Sequence, residues 1–84
     1  MKLTHCNKRL LKQLQRELLK LNVKMEYEDY KSLNTNPNTC FLRITLTGID
    51  NSTQFIDFSF LEIFNDFYYA IFTIYRIASE RRTK

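Results

Sequence analysis

The sequence predicts a single α+β domain in the order α-β-β-β-α, with a three-stranded antiparallel sheet and both helices on one face. Apolar residues recur with helical spacing near each end of the chain, and they alternate with period two in three runs between those ends. A chain of 84 residues is long enough for one two-layer core. We therefore expect one domain over residues 1–84, with frayed tails at 1–4 and 81–84.

The first helix is predicted over residues 4–21, with Thr4 as its N-cap. Its apolar face is formed by leucines at helical spacing, namely Leu10, Leu14, Leu18 and Leu21. A second row carries cations, namely Lys8, Lys12, Arg16 and Lys20, with Arg9 beside them. This pattern indicates a helix with one buried face and one basic face.

A strand is predicted next, over residues 23–28, because apolar and charged side chains alternate there. An alternative continues the first helix to about residue 33, since Leu18, Leu21 and Met25 keep helical spacing. The strand is preferred because acidic Glu28 and Asp29 interrupt that helical face.

Two further strands form a predicted hairpin. The segment Asn-Thr-Asn-Pro-Asn at 34–38 is typical of a loop, residues 40–47 alternate clearly, a turn follows at 48–52, and residues 55–60 alternate again. Cys40 is expected on the buried face. Phe41 and Phe55 are expected on the other face, where two exposed rings would form a small apolar patch suited to contact another protein.

The last helix is predicted to be continuous over residues 60–80. Ser59 and Glu62 have the spacing of a capping box. Nine of the twelve aromatic residues lie within 55–75, and the helix has only a narrow polar stripe. A helix that is apolar nearly all round must be buried, but so short a chain has little interior. We therefore expect part of this helix to meet a partner, with Tyr68, Phe72 and Tyr75 as contact residues.

No catalytic, metal or cofactor site is predicted. The single histidine, His5, adjoins Cys6, but neighbouring residues on a helix point about 100° apart and no third group orients the pair. Cys6 and Cys40 do not match the spacing of metal ligands, and the single glycine leaves no phosphate-binding loop. The chain is expected to be a non-enzyme, and Cys40 to pack as a small apolar side chain.

No secretion signal or membrane span is predicted. Residues 1–21 lack an uninterrupted apolar core and carry several cations, and Glu62, Asp66 and Arg76 interrupt the aromatic segment. A cytoplasmic protein with reduced thiols and no membrane partner is therefore expected.

Charge is distributed unevenly along the chain. The net charge is +4, made up of +5 over residues 1–20, −4 over 21–75 and +3 over 76–84. Basic ends favour a polyanion or an acidic partner. The residues predicted to bind it are Lys8, Arg9, Lys12, Arg16, Lys20, Arg81 and Arg82.

The order α-β-β-β-α and the segment NPNTCFLRITLTG at 36–48 resemble double-stranded-RNA-binding domains over about residues 10–78. The resemblance implies the fold of that family. Its last helix begins with lysines that contact phosphate, whereas this chain has Ser-Phe-Leu-Glu-Ile-Phe at 59–64. The resemblance therefore does not extend to the RNA-binding motif.

The function expected from these patterns is stoichiometric binding of another protein. A composition rich in Ile, Phe, Tyr, Asn and Lys is typical of an AT-rich genome, which hints at a phage or mobile element. By analogy with anti-CRISPR proteins, the expected activity is inhibition of a host enzyme, in anti-phage defence or nucleic-acid processing. Two alternatives stay open: a basic nucleic-acid-binding module with the topology of a double-stranded-RNA-binding domain, and a structural homodimer subunit.

Overall fold

A computed structural model describes residues 3–82, and Arg82 only in its backbone. The elements in chain order are α1 (His5–Leu19), β1 (Lys24–Asp29), α2 (Tyr30–Leu33), β2 (Leu42–Thr47), β3 (Thr53–Phe58), α3 (Phe60–Asn65) and α4 (Phe67–Arg82). The three strands form an antiparallel sheet in the order β1-β2-β3, which confirms the predicted α+β class and sheet. The short helix α2 was not expected, and the predicted last helix is divided into α3 and α4.

Helix α1 begins as predicted. The backbone N–H of Asn7 donates to Thr4 Oγ1 at 3.1 Å, and Leu11, Leu14 and Leu18 are buried. The alternative in which this helix continues to residue 33 is wrong, because α1 ends at Leu19 and β1 follows at Lys24.

Asparagine supplies the left-handed backbone positions of the described residues. Asn22, Asn34 and Asn51 have φ angles of 62°, 57° and 65°. Among non-glycine residues asparagine is enriched in this region, because its short polar side chain forms local hydrogen bonds. These residues lie after α1, at the end of α2 and in the β2–β3 turn, so a chain with one glycine still turns sharply three times.

One face of the sheet joins the buried faces of α1 and α4 in a single core. In the central strand Leu42, Ile44 and Leu46 are buried and alternate with half-buried polar residues. Register places Ile44 between Tyr27 and Ile56 on this inner face. The side chain of Gln15 ties α1 to the edge of the sheet, because its amide donates to the Met25 carbonyl at 2.7 Å.

The prediction that Phe41 lies on the exposed face of the sheet is wrong. β2 begins only at Leu42, and the backbone bends at Phe41, so strand alternation does not govern its direction. The ring is 1% exposed and lies between Tyr30 and Phe60, with centroid distances of 5.4 and 5.3 Å. Phe41 is therefore a core residue.

The prediction of one continuous helix over residues 60–80 is also wrong, because Asp66 divides it. Asp66 is extended, with φ −158° and ψ 91°, and its Oδ1 accepts a hydrogen bond from the Tyr69 N–H at 3.1 Å. The side chain thus caps the start of α4, where an acidic group also favours the helix dipole. On a continuous helix Phe64 would share one face with Phe67 and Ile74. In the structure Phe67 and Ile74 are buried beyond the break, whereas Phe64 before it is 73% exposed.

Removing this cap is expected to weaken the domain. Asp66→Ala leaves the Tyr69 N–H without its acceptor, and we expect a loss of about 1 kcal/mol in the free energy of unfolding, measured by urea denaturation. Asp66→Asn is the control, because asparagine is an equally good N-cap. Equal stability of the alanine and asparagine variants would show that the cap contributes nothing.

The ends of the described chain differ from the expected frayed tails. Leu3 is 7% exposed within the core, Thr4 caps α1, and Arg81 hydrogen-bonds to the β2–β3 turn. The remaining expected tail residues, 1–2 and 83–84, lie outside the described residues.

Candidate protein-binding surface

An aromatic band lies along the solvent side of α3 and α4. Its members, each 45–73% exposed, are Phe64, Tyr68, Tyr69, Phe72 and Tyr75. The opposite face of α4 is buried through Phe67, Ala70, Ile74 and Ala78. Tyr68, Phe72 and Tyr75 follow one another at i, i+4 and i+7 and so share one helical face. The structure shows these three side chains exposed, as predicted, and their role in binding stays a prediction.

The band is large enough to form much of an interface. Aromatic side chains bury about 150–250 Å² each, so the five rings at these exposures present on the order of 600 Å² of apolar surface. A standard interface buries about 800 Å² on each partner, whereas isolated apolar patches on monomers rarely exceed a few hundred Å². Leu61 on α3 adds a further side chain that is 63% exposed.

One end of the band is anchored to the core by stacked rings. Phe64 stacks on Phe60 with a centroid distance of 5.8 Å, and Phe60 meets the buried Phe41 edge to face at 5.3 Å. The capping box that starts α3 adds to this, since Ser59 and Glu62 exchange hydrogen bonds of 2.9 and 3.2 Å. Rigid aromatic side chains lose little conformational entropy on binding, so this end of the band is pre-organised.

Helices α1 and α4 point in the same direction. A cavity of about 370 Å³ at one end is lined by Leu3 and Asn7 together with Phe67, from the starts of both helices. At the other end, a cavity of about 550 Å³ is lined by Leu21, just beyond α1, and by Arg81, near the end of α4. The basic face of α1 therefore runs alongside the aromatic band.

A groove of about 340 Å³ joins the basic face of α1 to the aromatic band. Its lining residues are Cys6, Arg9, Leu10, Lys12, Gln13, Arg16 and Tyr68. Five predicted cations are exposed, namely Lys8, Arg9, Lys12 and Arg16 on α1 and Lys20 just beyond its end. Lys20 pairs with Glu17 at 3.3 Å, whereas the others form no ion pair with any residue of the described chain.

Arg81 lies apart from the cations that line this groove, and its predicted role in binding stays a prediction. Its guanidinium donates to the Ser52 carbonyl and to Ser52 Oγ, both at 2.7 Å, and to Gln54 Oε1 at 3.3 Å. The group therefore clamps α4 to the β2–β3 turn, and its Nη2 lies 3.0 Å from where a β-carbon on Gly48 would sit. The side chain of Arg82 lies outside the described part of the chain.

The outer face of the sheet keeps Phe55 exposed but covers its ring in part. Arg43 lies over the ring of Phe55 with its Cζ 4.9 Å from the centroid, and forms two hydrogen bonds to Asp57 at 2.8 and 3.1 Å. Phe55 is 60% exposed. Without Phe41 the predicted patch consists of one ring, which is ordinary for a protein surface.

The Arg43–Asp57 pair predicts a pH dependence. Hydrogen bonds from Arg43 hold the pKa of Asp57 below its ordinary value of about 3.9. A carboxylate with a lowered folded-state pKa stabilises the fold above its unfolded pKa, and this contribution is lost as pH falls through the folded value. We expect Asp57→Asn to lower the melting temperature near neutral pH, and the gap from wild type to close below about pH 4. Melting curves across pH test this, and a gap that widens in acid would contradict it.

The two cysteines lie in different environments. Cys40 is buried, which raises the pKa of its thiol, whereas Cys6 is exposed. Within residues 3–82, no three side chains of His, Cys, Asp or Glu cluster to hold a metal ion. No helix in the same range is both long enough and apolar enough to span a bilayer.

Sequence reasoning identified three of the five members of the aromatic band. It missed Phe64 and Tyr69, because a continuous helix places Phe64 on the inward face, and the break at Asp66 was needed to reorient it. The signal was present in Asn65-Asp66, since both residue types favour helix caps over helix interiors.

Comparisons with protein-family models, curated proteins and solved structures found no match for this chain.

Proposed function

We propose that this protein acts by stoichiometric, non-catalytic binding of another protein through the aromatic band. The observation that supports the proposal is the band itself: Phe64 on α3 and four aromatic side chains on α4 stay exposed, while the opposite face of α4 completes the core. Tyrosine and phenylalanine on a rigid helix are typical of protein contact sites.

We propose further that this binding is inhibitory. A small protein inhibits an enzyme without any catalysis of its own when it covers a surface that the enzyme needs. The composition typical of an AT-rich genome supports a phage or mobile element as the source and a host defence or nucleic-acid-processing enzyme as the target.

Capture from a lysate of the source organism or its host tests the proposal. The immobilised wild-type chain is expected to retain one or a few proteins that the variant Tyr68→Ser/Phe72→Ser/Tyr75→Ser does not retain. Ile49→Ser is the control, because Ile49 is 77% exposed in the β2–β3 turn, away from the band. Identical capture by the wild type and the triple variant would exclude the band as the binding surface.

A second candidate is nucleic-acid binding along α1. It is supported by Arg9, Lys12 and Arg16 beside Tyr68, since cations next to an exposed ring suit a stacked single strand. Binding of duplex and single-stranded DNA and RNA across a salt series tests it, because contacts to phosphate weaken steeply as salt rises. The remaining alternative, a structural homodimer, is tested by light scattering, which measures the molar mass of the protein in the same samples.

A further inference from the structure

The groove between α1 and α4 carries positive charge that the described chain does not neutralise. Arg9, Lys12 and Arg16 line it and form no ion pair among residues 3–82. The carboxylates of the neighbouring elements are already engaged. Glu17 pairs with Lys20, Glu80 pairs with Arg76, Glu62 accepts from the Ser59 N–H, and Asp66 accepts from the Tyr69 N–H.

The cations and the rings form two parallel rows of matched length. Arg9 to Arg16 and Tyr68 to Tyr75 each span seven residues of helix, which is about 10 Å at 1.5 Å per residue. Tyr68 lines the same groove as the cations, so the two rows are adjacent at this point. Phe72 and Tyr75 line a separate cavity further along α4. A ligand that enters the groove and continues along α4 therefore meets the cations of α1 and then the row of rings.

Building on the protein-binding function proposed above, we infer that the partner presents an acidic amphipathic helix to this groove. Its apolar side chains, spaced at i, i+4 and i+7, pack on Tyr68, Phe72 and Tyr75. Its carboxylates lie along one flank and face Arg9, Lys12 and Arg16. Complementary charge of this kind orients the helix and speeds its association.

The aromatic band favours a helix over a nucleic-acid strand as the occupant. Phe64 and Tyr69 extend the exposed apolar surface beyond the groove-lining residues. A nucleic-acid strand whose phosphates follow the cations leaves Phe64 and Tyr69 uncovered. An amphipathic helix covers them when its apolar stripe is two side chains wide.

The probe is a display library of randomised helical peptides, about three turns long, selected on the immobilised full chain. We expect the selected peptides to carry Asp and Glu along one flank of an apolar stripe. The affinity of such a peptide should fall about tenfold in Arg9→Glu/Arg16→Glu, because like charges then face each other. The matched control, Lys24→Glu/Lys31→Glu, changes the net charge equally at two exposed positions outside the groove, and we expect a change below about twofold.

Selection repeated on Arg9→Glu/Arg16→Glu should yield Lys- and Arg-bearing peptides. Melting curves check folding, and Arg9→Gln/Arg16→Gln gives a milder loss of affinity if charge reversal destabilises α1.

Peptides that need Tyr68 and Phe72 but show no acidic enrichment would overturn the acidic helix and leave the proposed function intact. No selection above that of Tyr68→Ser/Phe72→Ser/Tyr75→Ser would overturn both. Tighter binding of an oligothymidylate than of any peptide, lost in the same charge-reversal variant, would assign the groove to nucleic acid.

Discussion

Phe41→Ala is expected to lower the free energy of unfolding by about 3–5 kcal/mol, which is a large part of the stability of a domain this small. The ring is 1% exposed and is enclosed by Tyr30 and Phe60, so its removal leaves a cavity beside the start of β2. The backbone N–H of Phe41 also donates to the Phe58 carbonyl at 2.7 Å, which ties the backbone at this position to β3.

Phe55→Ala is the matched control for this prediction. The same side chain is removed, but Phe55 is 60% exposed and its one described ring contact is Arg43 at 4.9 Å. We expect a loss of about 1 kcal/mol or less. Urea denaturation of both variants measures the difference. Similar losses at the two positions would mean that Phe41 is not enclosed.

Phe72→Ala is expected to weaken binding of the captured partner by about thirtyfold or more, which corresponds to about 2 kcal/mol. Phe72 follows Tyr68 and precedes Tyr75 on the exposed face, so it lies in the middle of the row where contact residues carry most energy. The free energy of unfolding of the isolated domain should change by less than about 0.5 kcal/mol, because the ring is 58% exposed and contributes little to the core.

Ile74→Ala, two residues further along α4, should show the reverse behaviour. Its side chain is 0% exposed, so we expect a loss of stability of about 2–5 kcal/mol. Titration calorimetry with the captured partner and urea denaturation of both variants separate the two effects. A Phe72→Ala variant that binds as tightly as wild type would remove Phe72 from the proposed interface.

The local elements of this fold were predictable because they depend on neighbours within a few residues. Thr4 caps α1, Leu14 and Leu18 face inward, and Ile44 and Leu46 alternate with polar residues along β2, as the spacing indicates. These choices follow from helical and strand periodicity together with the burial of apolar surface.

Three features could not be read from periodicity, because each depends on groups distant in sequence or on one backbone angle. Phe41 turns inward where the backbone bends before β2, and it packs against rings from α2 and α3. Asp66 leaves helical geometry and reorients Phe64. Arg81 is held by the β2–β3 turn, whereas its charge alone suggested a surface role.

Local sequence was enough to predict the α+β class, the antiparallel sheet and the surplus of apolar side chains near the C-terminus, because periodicity, helix caps and composition depend on residues close together along the chain. The packing of distant segments added Phe64 and Tyr69 to the exposed rings, and it left Arg9, Lys12 and Arg16 without an ion pair among residues 3–82. Both depend on where α4 comes to lie against α1 and the sheet. The aromatic band and the groove beside it therefore arise from packing between segments that are far apart along the chain.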